Sequence, residues 1–229
     1  TSTDAADVTS WGPERQVERQ AGVTYSNLVL ARAPQGGGLH IYDFYRGEHW
    51  NPNWIVSDDR GQNWQHGGRL IAFEGRPYVK YASESGGAIH FVTTEHHPHN
   101  YHNSLYHAYM KTDGIFSSDG RRVCDVNGPP LRPAQATTVF AGNADHVAWP
   151  CDVHLDSEDH PYVVYSVQKQ LDPNAIRYRY ARWNGTAWTD RFLAHAGSAL
   201  YDAEAHYSGL VALDPADPNH LYISTDADP

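Results

Sequence analysis

The chain has 229 residues and a formal net charge of −10, with no block of Lys or Arg; a nucleic-acid partner is not expected, though a few converging Arg would still hold an anionic sugar. No run of about 18 apolar residues is present, so neither a membrane-spanning helix nor a membrane partner is expected. A turn-rich, aromatic composition (7 Trp, 15 Tyr, 19 Gly and 14 Pro against 1 Met) points to an all-β protein.

Residues 1–22 are polar, lack a period and read as an extended lead-in, with at most one strand or helical turn near Trp11. The opening TSTDAADVTSWGPE has no basic-then-apolar leader, which leaves location open, because leaders are removed on export. From Tyr25 onward strand follows strand: SNLVLARA, then a Gly turn into LHIYDFYRG, then NWIVSDDRGQNW. In the last of these, Ser57-x-Asp59-x-Gly61-x-x-Trp64 matches the Asp-box of BNR-type β-propellers. It predicts a fold-back in which Asp59 accepts backbone N–H groups, Gly61 takes positive φ and Trp64 packs on the hairpin. The Asp-box is a structural device and carries no chemistry.

The plan recurs. Arg76–Gly120 alternates through Arg76–Tyr81, turns at Gly86-Gly87, and alternates again through Ala88–Thr94 and Ser104–Met110. Asp152–Gly185 reads as a third unit and Gly209–Asp228 begins a fourth. A period of roughly 45–65 residues, mostly strand, predicts four-stranded blades of a β-propeller. About three and a half to four such blades fit the length, near the lower limit of a closed ring. Residues 1–229 are therefore expected to be part of a single propeller domain, about half of a ring of roughly seven blades, with the remaining half of the propeller as partner. Helix content should be low, since no long segment has a 3.6-residue period.

Between two of the strands lies Glu95-His96-His97-Pro98-His99-Asn100-Tyr101-His102, with four of the chain's 15 histidines. Loops after strand ends are where a rigid β scaffold presents chemistry. Near pH 7 an imidazole serves as acid or base, and the Asn and Tyr among them suit a sugar or a carboxylate. The two cysteines, Cys124 and Cys151, are open to a disulfide, to the free state or to metal binding. Asn184-Gly185-Thr186 matches a glycosylation sequon, a pattern common by chance. Asp214–Asn219 lacks the glycine and terminal Glu of an EF-hand loop and reads as a hairpin turn. Nucleophile-elbow, phosphate-loop and dinucleotide fingerprints are absent, and the Arg triad with Tyr/Glu pair of a sialidase cannot be assembled.

Taken together, RPYVKY…IHFVTTEHHP…NSLYHAY…SDG and HPYVVYSV…RYRYARWNGTAW…AHAG…YDAEAHYSGL…YISTDADP resemble the BNR-4 repeat proteins, which include the β-propeller ulvan lyases. The resemblance runs from about Tyr25 to the end. It implies a secreted or periplasmic polysaccharide lyase that cleaves a uronic-acid-containing, sulfated, ulvan-like anionic polysaccharide by β-elimination, without a catalytic metal. A cation neutralises the uronate carboxylate, a base takes the C5 proton, and an acid protonates the departing O4. Lyases of this kind resemble one another in using a His, a Tyr and an Arg for these tasks.

On that resemblance the His of the His-Pro turn maps onto His97, with His99 and His102 as rivals. The Tyr maps onto Tyr165, with Tyr162 as rival; three apart on a strand, they face opposite sides. The carboxylate neutraliser maps onto Arg179, with Arg177 on the same face, because Arg pairs with carboxylates through two parallel hydrogen bonds. His99, Asn100, His102, Tyr162 and Arg177 are expected to contact substrate. The resemblance also implies a structural zinc ion, Zn2+, held by Cys151, His195, His206 and His146 in a closed tetrahedral site. Two alternatives share the fold: a glycoside hydrolase acting on rhamnose–glucuronate linkages, and a non-catalytic carbohydrate-binding propeller.

Overall fold

The computed structural model describes residues 7–14, 16–17, 22–32, 38–83, 87–169, 172, 175–200 and 203–227; Gly86 of the expected second-unit turn lies outside them. Among the described residues all strand pairing within the sheets is antiparallel, and the only helical elements are two short 3-10 turns at Glu48–Trp50 and Pro133–Gln135.

Sheet 1 is an up-and-down meander of β1 (Thr24–Arg32), β2 (Leu39–Arg46), β3 (Pro52–Ser57) and β4 (Gln65–Arg69). The Asp-box closes its β3–β4 hairpin. Ser57 Oγ donates to Asp59 at 2.8 Å, Asp59 accepts Asn63 N–H at 2.8 Å, and Gly61 turns at φ 81°. Sheet 2 runs β5 (Val79–Ser83), β6 (Ile89–Thr93), β7 (Leu105–Met110), β8 (Ile115–Ser117) and β9 (Arg122–Cys124). The outer edge of β7 is shared: Ala108–Met110 pair with β8, and Leu105–His107 pair with β10 (Thr137–Phe140). Sheet 3 is β11 (Val147–Leu155), β12 (Pro161–Gln168), β13 (Arg177–Trp183) and β14 (Trp188–His195). It begins earlier and ends later than the expected third unit. β15 (Val211–Leu213) and β16 (Leu221–Ile223) form a two-stranded hairpin.

The sheets pack face to face in series. One core cluster joins Phe44 and Trp54 of sheet 1 to Phe91, Ala108 and Met110 of sheet 2. A second joins Val92 and Leu105 to Val153, Val163 and Tyr165 of sheet 3. A third joins Tyr162, Tyr178 and Tyr180 to Val211 and Leu213. Each fully buried aliphatic or Phe side chain in these layers contributes about 1.5–3 kcal/mol by removal from water. The first strands of successive units, β1, β5, β11 and β15, pack against one another. No closed ring is formed by the described residues. Leu28, Leu30 and Leu39 share one face of sheet 1 and stay 70%, 55% and 54% exposed. Cys124 and Cys151 are both free, which resolves the choice left open for them against a disulfide.

Candidate functional site

The loop between β6 and β7 is held by two of its own polar side chains. Buried Glu95 accepts Ser104 N–H at 2.9 Å and the Tyr106 hydroxyl at 2.7 Å. Asn103 accepts His96 N–H at 2.9 Å, and its own carbonyl accepts Ala148 N–H at 2.9 Å, which ties the loop to β11. Gly75 lets the His96 ring lie close: a Cβ there would stand 2.5 Å from it. These bonds bring half-buried His97 against Tyr78, Trp149 and His206, with ring centroids 5.6, 4.9 and 5.7 Å away. His99 joins the group, 5.5 Å from His206, and Tyr207 meets Trp149 at 4.9 Å.

Four members of this cluster, Tyr78, Trp149, His206 and Tyr207, line a cavity of ≈ 350 Å3 at the inner strands together with Arg46 and Lys80, while His97 and His99 pack on that wall from outside the lining. The Arg46 guanidinium lies between two aromatic faces, 4.6 Å from Tyr25 and 4.4 Å from Tyr78. Cation–π contacts of this kind orient the guanidinium, whose Nη2 also donates to the Pro77 carbonyl at 3.5 Å. His206 is 3% exposed, and neither of its ring nitrogens has a hydrogen-bond partner among the described residues. Burial pushes its pKa down to about 4, helped by the neighbouring His97 and His99. Burial also lowers the pKa of His97, against the opposing pull of Glu204. His97 Nδ1 accepts the backbone N–H of His99 at 3.1 Å, so the neutral ring carries its proton on Nε2 and acts there as a donor.

The structure separates the residues that the sequence grouped with His97. Ser166 lines the cavity, so its neighbour Tyr165 faces the other side of β12. Tyr165 is fully buried and donates its hydroxyl to Asp190 at 2.8 Å. Burial and the Asp190 charge raise its pKa, the wrong direction for a base. Arg179 grips the same carboxylate through Nε at 3.0 Å and Nη2 at 2.5 Å. Its charge is already matched by Asp190, which raises its pKa further. The expected trio of His97, Tyr165 and Arg179 is not brought together: Tyr165 and Arg179 meet on Asp190, away from His97. Tyr162 packs in the third core cluster and donates to the Asp214 carbonyl at 2.9 Å, as a structural contact. Arg177 is exposed and lines a separate opening with His146. Asn100 and His102 are exposed on the His97 loop and take no part in its ring contacts.

The four residues expected to hold zinc do not converge. Cys151 and His206 share the cavity wall, and burial lifts the Cys151 thiol to about 11. His146 stands beside Arg177 and Arg179, and His195 is exposed at the end of the outer strand β14, 5.3 Å from Phe192. Among the described residues no three His, Cys, Asp or Glu side chains are placed to share a metal ion. The residues that sequence reasoning missed are Arg46, Tyr78, Trp149 and Tyr207. Tyr78 stands inside the RPYVKY segment, whereas Arg46 simply ends an alternating strand and gives no local signal.

A family model described as "BNR repeat-containing family member" matches residues 1–196. No curated protein sequence matches the chain. Among solved structures, a polysaccharide lyase PL25 ulvan lyase bound to -[GlcA(1-4)Rha3S]- is similar over 73% of this chain and 43% of its own, at 17% identity and TM-score 0.56. A second polysaccharide lyase PL25 ulvan lyase structure gives the same values. A fucose lectin from Kordia zhangzhouensis in complex with methyl-fucoside covers 74% of this chain at 12% identity and TM-score 0.40. The chain spans under half the length of the ulvan lyase structures, and at this identity the likeness concerns the fold.

Proposed function

The chain belongs to the BNR repeat-containing family, and from that premise we propose that it is the catalytic part of a polysaccharide lyase acting on a uronate-containing polysaccharide. The observation that carries the reading is the ≈ 350 Å3 cavity, which joins an aromatic and histidine wall to the guanidinium of Arg46. Aromatic faces take sugar rings, and a fixed cation is what the elimination needs to stabilise charge on the uronate carboxylate. In this reading Arg46 neutralises the carboxylate, in the place first assigned to Arg179. His97 keeps its proton and donates a hydrogen bond from Nε2 to the uronate carboxylate. One phenolate, of Tyr78 or Tyr207, takes the C5 proton and returns it to the departing O4, in the place first assigned to Tyr165.

A glycoside hydrolase is disfavoured by the same wall. Hydrolysis generally uses two carboxyl groups flanking the bond; among the described residues the cavity lining holds no Asp or Glu, and Glu204 acts on His97 from beside it. A polymeric substrate implies action outside the cytoplasm, in the periplasm or beyond the cell. The rest of the propeller would cover Leu28, Leu30 and Leu39 at one end and Tyr222 at the other, all of them exposed.

The test is ultraviolet absorbance over time with ulvan and a panel of other uronate polymers, using the full-length protein and its His97→Ala and Arg46→Ala variants. Elimination leaves a C4–C5 double bond that absorbs, and hydrolysis or binding does not. A rise for the wild type that both substitutions abolish supports the assignment. A rise that survives both moves the chemistry out of this cavity, and no rise on any polymer leaves a carbohydrate-binding protein.

A further inference from the structure

A second opening lies at the other end of the blades. β6 runs from Ile89 up to the His97 loop and β7 returns from it, so His90 and Lys111 lie at the end remote from His97. There a cleft of ≈ 380 Å3 separates sheet 2 from the β11–β12 turn and Trp183 of sheet 3. Its walls include His90, Tyr109, Lys111, Asp119, Asp159 and Trp183.

Behind the cleft runs a buried chain of hydrogen bonds. Trp188 Nε1 donates to Ser118 Oγ at 2.9 Å, Ser118 Oγ meets His107 Nδ1 at 2.8 Å, and His107 Nε2 meets His90 Nδ1 at 3.1 Å. An indole N–H only donates, so Ser118 accepts from Trp188 and keeps its own proton for His107 Nδ1. His107 then carries its proton on Nε2 and gives it to His90 Nδ1. His90 is left with its proton on Nε2, the ring nitrogen that no described residue bonds. In the reverse arrangement the half-buried Ser118 hydroxyl would have no acceptor among the described residues. His107 is 1% exposed and His90 6%, and burial holds both rings neutral, with His90 down to about 4. Trp188 of sheet 3 thus sets the tautomer of a histidine on sheet 2.

Beside that donor stands a cation. His90 stacks on Tyr109 at 5.0 Å, Tyr109 stacks on Phe116 at 5.4 Å, and Lys111 Nζ sits 5.3 Å from the Tyr109 ring. The Asp119 carboxylate is occupied on one oxygen by Ser117 Oγ at 2.6 Å and Arg121 N–H at 3.1 Å, which leaves acceptor capacity for hydroxyl groups.

We propose that this cleft is a second saccharide subsite, for a sugar unit bearing one carboxylate or sulfate. The anion meets Lys111 and the His90 Nε2–H, and the hydroxyl groups meet Asp119 and Asp159. The sugar part of the proposal rests on the carbohydrate reading of the His97 cavity; the anion part rests on the cleft alone. A polymer would then be gripped at both ends of the blade pair, with chemistry at one.

The experiment is side-chain NMR of the full-length protein. Long-range proton–nitrogen spectra should show His90 as the Nε2–H tautomer; an Nδ1–H tautomer overturns the relay. Titration with D-glucuronate and, separately, glucose 6-sulfate should shift the His90 and Lys111 signals saturably, with glucose at least about tenfold weaker. A carboxylate site responds to the first anion only, a sulfate site to the second only, and a site reading charge alone to both. Exposed Lys111 tolerates substitution, and Lys111→Met should weaken the effective anion at least about tenfold. Equal binding of glucose, no shift at His90 with either anion, or indifference to Lys111→Met overturns the subsite. Ultraviolet elimination by the wild type is scored separately. No elimination with the His90 shifts intact removes the lyase reading alone, and elimination without them removes this subsite alone.

Discussion

The His97 cavity and the Tyr165–Asp190–Arg179 network are served by opposite faces of one strand, β12, and treat their polar groups in opposite ways. In the network each polar group has a partner: one carboxylate takes a phenol and a guanidinium. At the cavity the groups are held but not used up. Arg46 is oriented by ring faces, and both nitrogens of His206 lack partners among the described residues. A satisfied set of charges stabilises a fold, whereas an oriented and unsatisfied set can be completed by a ligand. Residue type alone does not tell the two regions apart, since both contain a Tyr and an Arg.

The largest effect that would break this comparison is on turnover. His97→Ala should lower the elimination rate by about 10²–10³-fold with little change in melting temperature, as loss of a donor to a developing oxyanion does. Arg46→Ala should cost a similar factor, while the same assay on Arg179→Ala should show a far smaller loss. A reversal of the two arginines would return Arg179 to the site. Next comes the stability of the closed network. Asp190→Ala leaves a phenol unpaired and a guanidinium without its counter-charge, and should lower unfolding free energy by about 2 kcal/mol in urea titrations.

A pH effect of similar size separates the two regions again. His206 and His90 have pKa values of about 4 in the fold, against about 6.5 when unfolded. The unfolded chain therefore binds these protons first. Their contribution is complete above about pH 6.5 and is lost as pH falls toward 4, on the order of 3 kcal/mol for each. Thermal unfolding between those limits should show the decline, and His206→Leu should flatten part of it. The smallest expected effect is Tyr165→Phe, about 1 kcal/mol of stability from one hydrogen bond, with elimination within about twofold of wild type. A hundredfold loss of rate there would put the phenol back into the chemistry.

Much of the fold was legible because it is written in local patterns. Alternation over Ile89–Thr93 and Leu105–Met110, the Gly turns and the Asp-box at Ser57–Trp64 specify strands and hairpins through contacts between near neighbours in the chain. The His97 loop was legible too, as a histidine cluster at a strand end, and the opposite facing of Tyr162 and Tyr165 follows from the period of a strand alone. Unit boundaries were less so: sheet 3 starts at Val147, and β10 pairs back to β7 across a long connection that no local pattern announces.

What only the tertiary structure decided is which residues meet. Arg46 ends β2, Tyr78 precedes β5, Trp149 lies in β11 and His206 follows β14, and they reach one cavity because the inner strands of successive sheets pack together. Residue composition says nothing of that packing, since each sheet would have the same alternation whatever its neighbour. The same holds for Asp190, which captures Arg179 and Tyr165, and for Trp188, which reaches Ser118 from another sheet. Strand period depends on the backbone of a few residues and can be read in order. Partnership depends on how sheets stack, and that is settled only when their buried faces have closed on one another.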